Sequence, residues 1–249
     1  MEDGVISGFK RDFLVVKEKG WIPSNRFHDT GIGKTFEDLI GIVENNNSLA
    51  DYQGILELKS SRELSENMVT LFTKSPFFPK RANAILRERY GKPDEEVEGM
   101  KTLRTTASAL KFNSFVDKSG FKLEIDEINK KIFVRIKDLQ TSKIEDIEIY
   151  YTFEQLQNVV ENKCKYIVYI TAESEKEDGK EFFKFTKAVL WSGLTFDKFI
   201  DAIKKGFIAY DIRLGVYKSG KNKGKTHDHG SGFRIFKDKV SRVFEVKEL

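Results

Sequence analysis

At 249 residues, with 39% hydrophobic and 33% charged side chains, the chain is long enough to bury a full core, in one large domain or two small lobes. A single cysteine, Cys164, excludes an intrachain disulfide framework and a cysteine-rich zinc site. No stretch approaches the roughly 18 apolar residues of a membrane span, and the first residues lack an apolar leader core, so the expectation is a soluble protein of a reducing cytoplasm; a net charge of +4 names no partner by itself.

In chain order, Phe9–Lys19 is predicted as a short amphipathic helix ending at Gly20. Residues 25–33 carry turn chemistry, His28 among them, and a helix follows. Its Phe36, Leu39, Ile40 and Val43 fall at i, i+3, i+4 and i+7, one buried stripe, and Asn45–Ser48 ends it. Asp51 to Gly54 leads into Ile55–Lys59, a strand by period two, with Leu56 and Leu58 on one face and Ile55, Glu57 and Lys59 on the other. Further strands are expected at Met68–Thr73, Phe121–Asp126, Lys131–Lys137, Ile147–Tyr151, Lys165–Ala172, Glu181–Trp191 and Ile208–Tyr217. Thr195–Lys205 has the helical stripe Phe196, Phe199, Ile200 and Ile203. A loop from Lys218 to Lys225 leads through Thr226–Gly230 to a last strand, Gly232–Phe236, and a tail helical around Lys239–Val243. The acidic run Asp94–Glu98 marks an exposed connection. The sum is an α+β fold with a mixed sheet, in two lobes making a cleft.

Charge is clustered. Residues 204–225 hold seven Lys or Arg (Lys204, Lys205, Arg213, Lys218, Lys221, Lys223, Lys225) against Asp211 alone. Residues 73–89 hold five (Lys74, Lys80, Arg81, Arg87, Arg89) against Glu88. Such stretches, interleaved with Gly, Ser and Asn, suit a phosphate footprint, although they suit ordinary solvated surface as well.

The sharpest chemistry lies in Asp51, Glu57, Leu58 and Lys59. Glu57 and Lys59, two apart on a strand, share a face about 7 Å apart. A turn at Gly54 can fold the Asp51 carboxylate back toward Glu57. Two carboxylates and the Leu58 carbonyl form a hard oxygen site suited to one or two Mg²⁺ ions, which polarise a scissile phosphate. Lys59 can orient the attacking water and offset the charge developing on phosphorus. The pattern alone also fits a same-face surface ion pair. Glu37 supplies a third acid, in the first turn of its helix, where the helix dipole also favours one. Gly33-Lys34-Thr35 is not a nucleotide-binding loop, since the first glycine position of that motif holds His28.

The stretch Thr30 to Leu39 (Thr-Gly-Ile-Gly-Lys-Thr-Phe-Glu-Asp-Leu), followed by Asp51 and Glu57-Leu58-Lys59, resembles the signature of the MvaI/BcnI restriction endonucleases; the MutH mismatch-repair nickases carry a more distant version. Further segments are similar to the same family. They are Leu71–Pro76 with Arg81-Ala82-Asn83, Leu86-Arg87 and Arg89–Gly91; Lys165–Ile167 with Ala172–Ser174; and Asp211–Arg213 through Gly224–Gly230 to Phe233–Ile235. They occur in the family's order from residue 30 to about 236, so the resemblance covers most of the chain. It implies a PD-(D/E)xK core of the restriction endonuclease type with a two-lobed DNA-binding cleft. Asp51 and Glu57 would hold Mg²⁺, Lys59 would be the catalytic lysine and Glu37 would support them. The catalytic lobe would take residues 1–100 with parts of 101–190, and a recognition lobe about 190–249. The spacing of five residues between Asp51 and Glu57 varies among relatives, which leaves the reach of Asp51 dependent on strand register.

Asp211 and Arg213 share a strand face, and Arg234 comes from a neighbouring strand. Arginine reads guanine bidentately and a carboxylate can accept from cytosine N4, so these three suit a G·C-rich duplex target. Lys218, Lys221, Lys223 and Lys225, with Lys74 and Arg81, suit phosphates, which fix position without carrying sequence information. His227 and His229 could share a metal, but no third ligand accompanies them. Donation to base edges or phosphates, or a plain hydrogen-bonded loop, fits them instead. The resulting expectation is a Mg²⁺-dependent type II restriction endonuclease acting on double-stranded DNA at a short, nearly palindromic site. The resemblance implies CCWGG and a monomer with no obligate protein partner that nicks each strand in turn. A MutH-like nickase and a DNA-binding module without cleavage are the competing readings.

Overall fold

The computed structural model describes residues 2–26, 30–43, 49–63 and 67–249, so His28 and the expected stop at Asn45–Ser48 lie outside the described residues. Along the chain run α1 (Glu2–Glu18), β1 (Ile22–Pro23), α2 (Gly31–Leu39), β2 (Glu57–Arg62), β3 (Met68–Thr73), α3 (Ala82–Tyr90) and β4 (Lys92–Pro93). Then come β5 (Lys101–Ala107), β6 (Asn113–Phe115), β7 (Ser119–Asp126), β8 (Lys131–Asp138), β9 (Tyr150–Thr152) and α4 (Phe153–Lys163). The chain ends with β10 (Tyr166–Glu177), β11 (Lys180–Ser192), α5 (Phe196–Lys204), β12 (Ile208–Val216), β13 (Thr226–Asp228), β14 (Gly232–Phe236), α6 (Val240–Val243) and β15 (Glu245–Glu248).

Two compact units divide these elements. One takes residues 1–67, 159–195 and 240–249, the other 68–158 and 196–239. This partition differs from the expected one. Residues 68–100 group with the later strands, and the last ten residues return to the first unit, where β15 pairs with β11.

The first unit is built on a sheet in the order β1-β11-β10-β2, antiparallel except for the parallel pair β10–β2, with β15 also on β11. Its core follows from helical spacing. Val5, Phe9, Phe13 and Val16 line one side of α1 and are buried with Ile32 and Phe36 of α2 and with Phe183 and Phe185 of β11. The Phe36 ring lies 5.1 Å from Phe185 and 6.0 Å from Phe9. Each such burial contributes about 1.5–3 kcal/mol, enough to hold α2 against β2, on which it packs.

Helix α2 is shorter than its apolar stripe predicts: it stops at Leu39, and Val43 is 79% exposed. Gly41 at φ 75° supplies the left-handed residue of the stop, with Gly41 N bonding Asp38 O and Ile42 N bonding Glu37 O. That is a Schellman ending, which closes the last carbonyls without a further turn.

The second unit holds a sheet in the order β3-β14-β12-β5-β4, with β13 also on β12, and a smaller sheet β6-β7-β8-β9. Phe72, Phe199, Phe233, Tyr151 and Tyr210 form its aromatic centre, with Phe233 between 5.2 and 5.5 Å from Tyr151, Phe199, Phe72 and Tyr210. The helix predicted at Thr195–Lys205 is α5, with Phe199, Ile200 and Ile203 buried. Several expectations change: α1 begins at Glu2 and not Phe9, and β2 covers Glu57–Arg62 in place of Ile55–Lys59. The strand placed at Ile147–Tyr151 is the shorter β9, Thr226–Asp228 is a strand and not part of a loop, and the tail adds β15 after its helical turn.

Candidate functional site

The acid–acid–lysine constellation assembles on β2, the edge strand of the first unit's sheet. Before it, Gln53 (φ 52°) and Gly54 (φ 71°) occupy the two left-handed positions of a tight turn closed by Ile55 N on Tyr52 O at 3.1 Å. Two successive positive φ values favour glycine, and Gly54 fills the second of them. Tyr52 exchanges backbone hydrogen bonds with Leu56, and its hydroxyl donates to Asp12 Oδ2 at 2.6 Å, which ties the turn to α1. Burial, and then the Asp12 carboxylate, push the Tyr52 phenol up to about 12, so it remains a donor.

The turn delivers Asp51 to the strand edge: Leu58 N donates to Asp51 Oδ2 at 2.9 Å. In a strand the N–H and C=O of one residue point to the same side. The Leu58 carbonyl therefore faces the Asp51 side, away from β10. Leu56 and Leu58 are buried in the core, and Glu57 and Lys59 share the opposite face as their alternation predicts.

Glu57 is only 4% exposed. Lys59 Nζ donates to Glu57 Oε1 at 2.6 Å, and Lys163 Nζ, at the end of α4, stands 3.9 Å from Oε2. Oε2 is buried and accepts no hydrogen bond. Around Lys59, burial opposes the charge, but the Glu57 carboxylate and its hydrogen bond, with Asp51 beyond, outweigh it and raise the ammonium above its ordinary value. Lys59 is thus a firmly protonated cation facing two acids. Cys164, fully buried alongside, has its thiol pushed up to about 12, chiefly by burial, and is inert there. Glu37 is part-buried near the C-terminal end of α2, not in its first turn as expected, on the helix that packs on β2.

A second cluster sits on β12 of the other unit. Asp211 lies opposite Gly232 on β14 and Thr106 on β5; Arg213 lies opposite Arg104 on β5; Arg234 on β14 lies opposite Ala209. Asp211 Oδ1 accepts from Thr106 Oγ1 at 3.0 Å. Asp211 Oδ2 is 3.1 Å from Arg234 Nε and 4.0 Å from Arg213 Nε. The three predicted reading residues therefore converge, with the Asp211 carboxylate paired to Arg234 and at the outer range of an ion pair with Arg213.

The family model of the MvaI/BcnI restriction endonucleases matches residues 11–244. The chain belongs to the MvaI/BcnI restriction endonuclease family. Among solved structures it is similar to restriction endonuclease MvaI in complex with its cognate DNA substrate, at 39% identity over 97% of each chain with a TM-score of 0.91. It is also similar to MvaI in the absence of DNA, at 38% identity over 98% of this chain and 97% of that one, with a TM-score of 0.60. No curated protein sequence matches it.

The other expected site residues of this restriction endonuclease are distributed unevenly. Lys221, Lys223 and Lys225 are exposed on the loop between β12 and β13, which is closed by Tyr217 N on Lys225 O and Gly224 N on Tyr217 O, each 2.9 Å. Lys218 is already engaged, hydrogen-bonded to Asp94 and 3.5 Å from Glu96. The acidic run is therefore not merely an exposed connection. His227 stacks on Tyr217 at 4.0 Å between centroids and meets His229 edge-on at 4.3 Å. Among the described residues no group of three or more His, Cys, Asp or Glu side chains is placed to hold a metal ion. Burial, then His227, Arg104 and Arg213, lower the His229 pKa. Lys74 caps the end of β3, its N–H bonding Ser231 O and its carbonyl accepting from Tyr151. Arg81 is exposed at φ 65° before α3.

Sequence reasoning missed Lys163, Arg104, Thr106 and Ser231, whose Oγ accepts from Arg213 N at 2.8 Å. Asp228 was seen only as a neighbour of the histidines, and Asn83 only within a family segment. Asp228 Oδ1 accepts from Gly230 N and Ser231 N, and its Oδ2 from Asn83, so it fixes the loop that carries His229.

Proposed function

We propose that this restriction endonuclease uses Mg²⁺ to hydrolyse duplex DNA at a short, G·C-rich, nearly palindromic site, CCWGG in the first instance. It acts as a monomer that nicks each strand in turn. The convergence of Asp51, Glu57 and the Leu58 edge beside Lys59 carries this reading. The donor set fits the ion: Glu57 Oε2 is a buried oxygen without a hydrogen bond, and Asp51 Oδ1 and the Leu58 carbonyl are hard oxygens at the same strand edge. Bound by these three groups, the ion would supply Lewis-acid polarisation of the scissile phosphate.

The chain's own residues do the rest. Lys59, held protonated, donates hydrogen bonds that orient the attacking water and offset charge developing on the phosphoryl oxygens. Asp211, Arg213 and Arg234 read base edges, with His227 and His229 as further donors. Lys221, Lys223 and Lys225, with Lys74, Arg81 and Arg104, contact phosphates. Glu37 supports the β2 cluster from α2. CCWGG, monomeric action and a cytoplasmic setting rest on likeness to the family. No helix among the described residues is long and apolar enough to cross a membrane.

The test is digestion of unmethylated phage DNA by the purified protein, with sequencing of the fragment ends. Discrete fragments, formed with Mg²⁺, suppressed by EDTA and ending within CCWGG, are expected. Intact duplex binding without cutting would overturn the reading in favour of a partner-dependent nickase or a binding module. Elution in gel filtration near 28.7 kDa is expected, and a stable mass near twice that value refutes the monomer.

A further inference from the structure

Lys163 lies over a hundred residues from Glu57 in sequence, yet its ammonium is 3.9 Å from the buried Oε2. With Lys59 at Oε1, Glu57 is flanked by a cation at each oxygen. The formal charges cancel: Asp51 and Glu57 give −2, Lys59 and Lys163 give +2. A basic residue in the last turn of α4 is favoured by the helix dipole whatever it faces. That accounts for its presence but not for its approach to the most buried carboxylate of the cluster.

We infer that Lys163 is a positioning residue that acts through Glu57: it neutralises the second carboxylate oxygen while no metal is present and so weakens uptake of a divalent ion by the free protein. The inference rests on the reading that Asp51 and Glu57 hold the metal. A divalent cation reaching Oε2 must displace Lys163 or bear its repulsion. At this range a neighbouring unit charge shifts the affinity of a site for a cation by about tenfold or more.

The experiment is Mn²⁺ titration of the full chain without DNA, followed by electron paramagnetic resonance, with melting in EDTA and in saturating Mn²⁺. Lys163→Gln is expected to bind Mn²⁺ about tenfold more tightly than the wild type, and Lys163→Arg, which keeps the charge, as the wild type does. Lys163→Gln should melt below the wild type in EDTA and close that gap in Mn²⁺, whereas a merely structural role lowers both equally. Should Lys163→Gln not fold, Lys163→Met, which keeps the aliphatic stem, carries the same expectation. Unchanged or weaker Mn²⁺ binding by the neutral variants, or an equal loss of melting temperature in both conditions, overturns the inference. Glu57→Gln separates the two failures. If it abolishes Mn²⁺ binding while Lys163→Gln leaves it unchanged, only the role of Lys163 fails. If Glu57→Gln binds Mn²⁺ as the wild type does, the metal site itself is wrong and the inference falls with it.

Discussion

Asp51 does two things that substitution can separate. Its Oδ2 accepts from Leu58 N at 2.9 Å, and its charge stands beside Glu57 and Lys59. Asp51→Ala removes both. A hydrogen bond to a charged group contributes about 1.5–3 kcal/mol, and partial exposure of Asp51 selects the lower end, about 1.5 kcal/mol. For a chain of this size that lowers Tm by roughly 3–6 °C. Asp51→Asn keeps an oxygen for Leu58 N–H. A neutral acceptor is about half as strong, so the loss is about 0.5–1 kcal/mol and the Tm drop roughly 1–4 °C. Both variants lack the charge that would help hold Mg²⁺. Polarisation by the ion is worth several kcal/mol, so both should cut at least ~100-fold more slowly under single-turnover conditions. The assay pairs thermal melting with single-turnover cleavage of unmethylated phage DNA. Near-normal cutting by Asp51→Asn refutes a metal-holding role for Asp51. Equal melting of Asp51→Ala and wild type refutes the stabilising bond to Leu58.

Arg213→Ala and Arg234→Ala should each cost about 1–3 kcal/mol of discrimination at one base pair, measured as cleavage of single-mismatch duplexes; uniform weakening across sequences would mark them as phosphate contacts. Single alanine substitutions at Lys221, Lys223 or Lys225 should weaken binding alike on all duplexes and reduce the salt slope by about 1 each. Lys218→Ala should change the slope less, because Asp94 and Glu96 already hold that ammonium; a full unit of slope for Lys218 contradicts this. His229 has a folded pKa below the 6.5 of the unfolded chain, so the unfolded state takes up the proton first as pH falls. Its contribution to stability is therefore complete above 6.5 and is lost as pH falls from there through the folded value. His229→Gln should flatten the fall of melting temperature in that window, and an unaltered pH profile would rule the histidine out.

Much of this was legible from local pattern. Period two along Ile55–Lys59 placed Leu56 and Leu58 in the core and Glu57 with Lys59 opposite, because alternation in a strand is a matter of backbone geometry alone. The stripe of α5 was visible for the same kind of reason. Helix α4 escaped notice although Leu156 and Val160 are four apart and fully buried, because polar residues dilute so short a stripe. Strand β5 escaped too. Its three threonines are β-branched, but they alternate with no strong hydrophobic face, and their role comes only from lying beside β12. The same limit hid Lys163, Arg104 and Ser231. Arg104 is joined to its site by strand pairing, Lys163 by an ion pair and Ser231 by a hydrogen bond, all long-range contacts that spacing in sequence does not show. The end of α2 was readable in principle from Gly41, but an apolar residue at position 43 outweighed it.

The two clusters occupy opposite positions in their sheets, and the contrast suits the roles proposed for them. A metal site that takes a backbone carbonyl needs a strand with one side free of ladder hydrogen bonds. Only an edge strand offers that, and β2 is the edge of its sheet, with Leu58 N turned to Asp51 and not to a neighbouring strand. Base reading needs the reverse: side chains held at fixed spacing and in fixed rotamers by neighbours on both sides. Strand β12 is flanked by β5 on one side and by β13 and β14 on the other, and Asp211 is held from both, by Thr106 and Arg234. An exposed edge invites pairing with other chains. Charged Glu57 and Lys59, with Asp51 folded across the backbone, blunt that edge while leaving the Leu58 carbonyl on the open side. The residues proposed to equip β2 for chemistry are thus the charges an edge strand needs, and replacing Asp51, Glu57 and Lys59 together by apolar residues should convert it into a pairing edge, seen as association in gel filtration; a triple variant that elutes like the wild type refutes this.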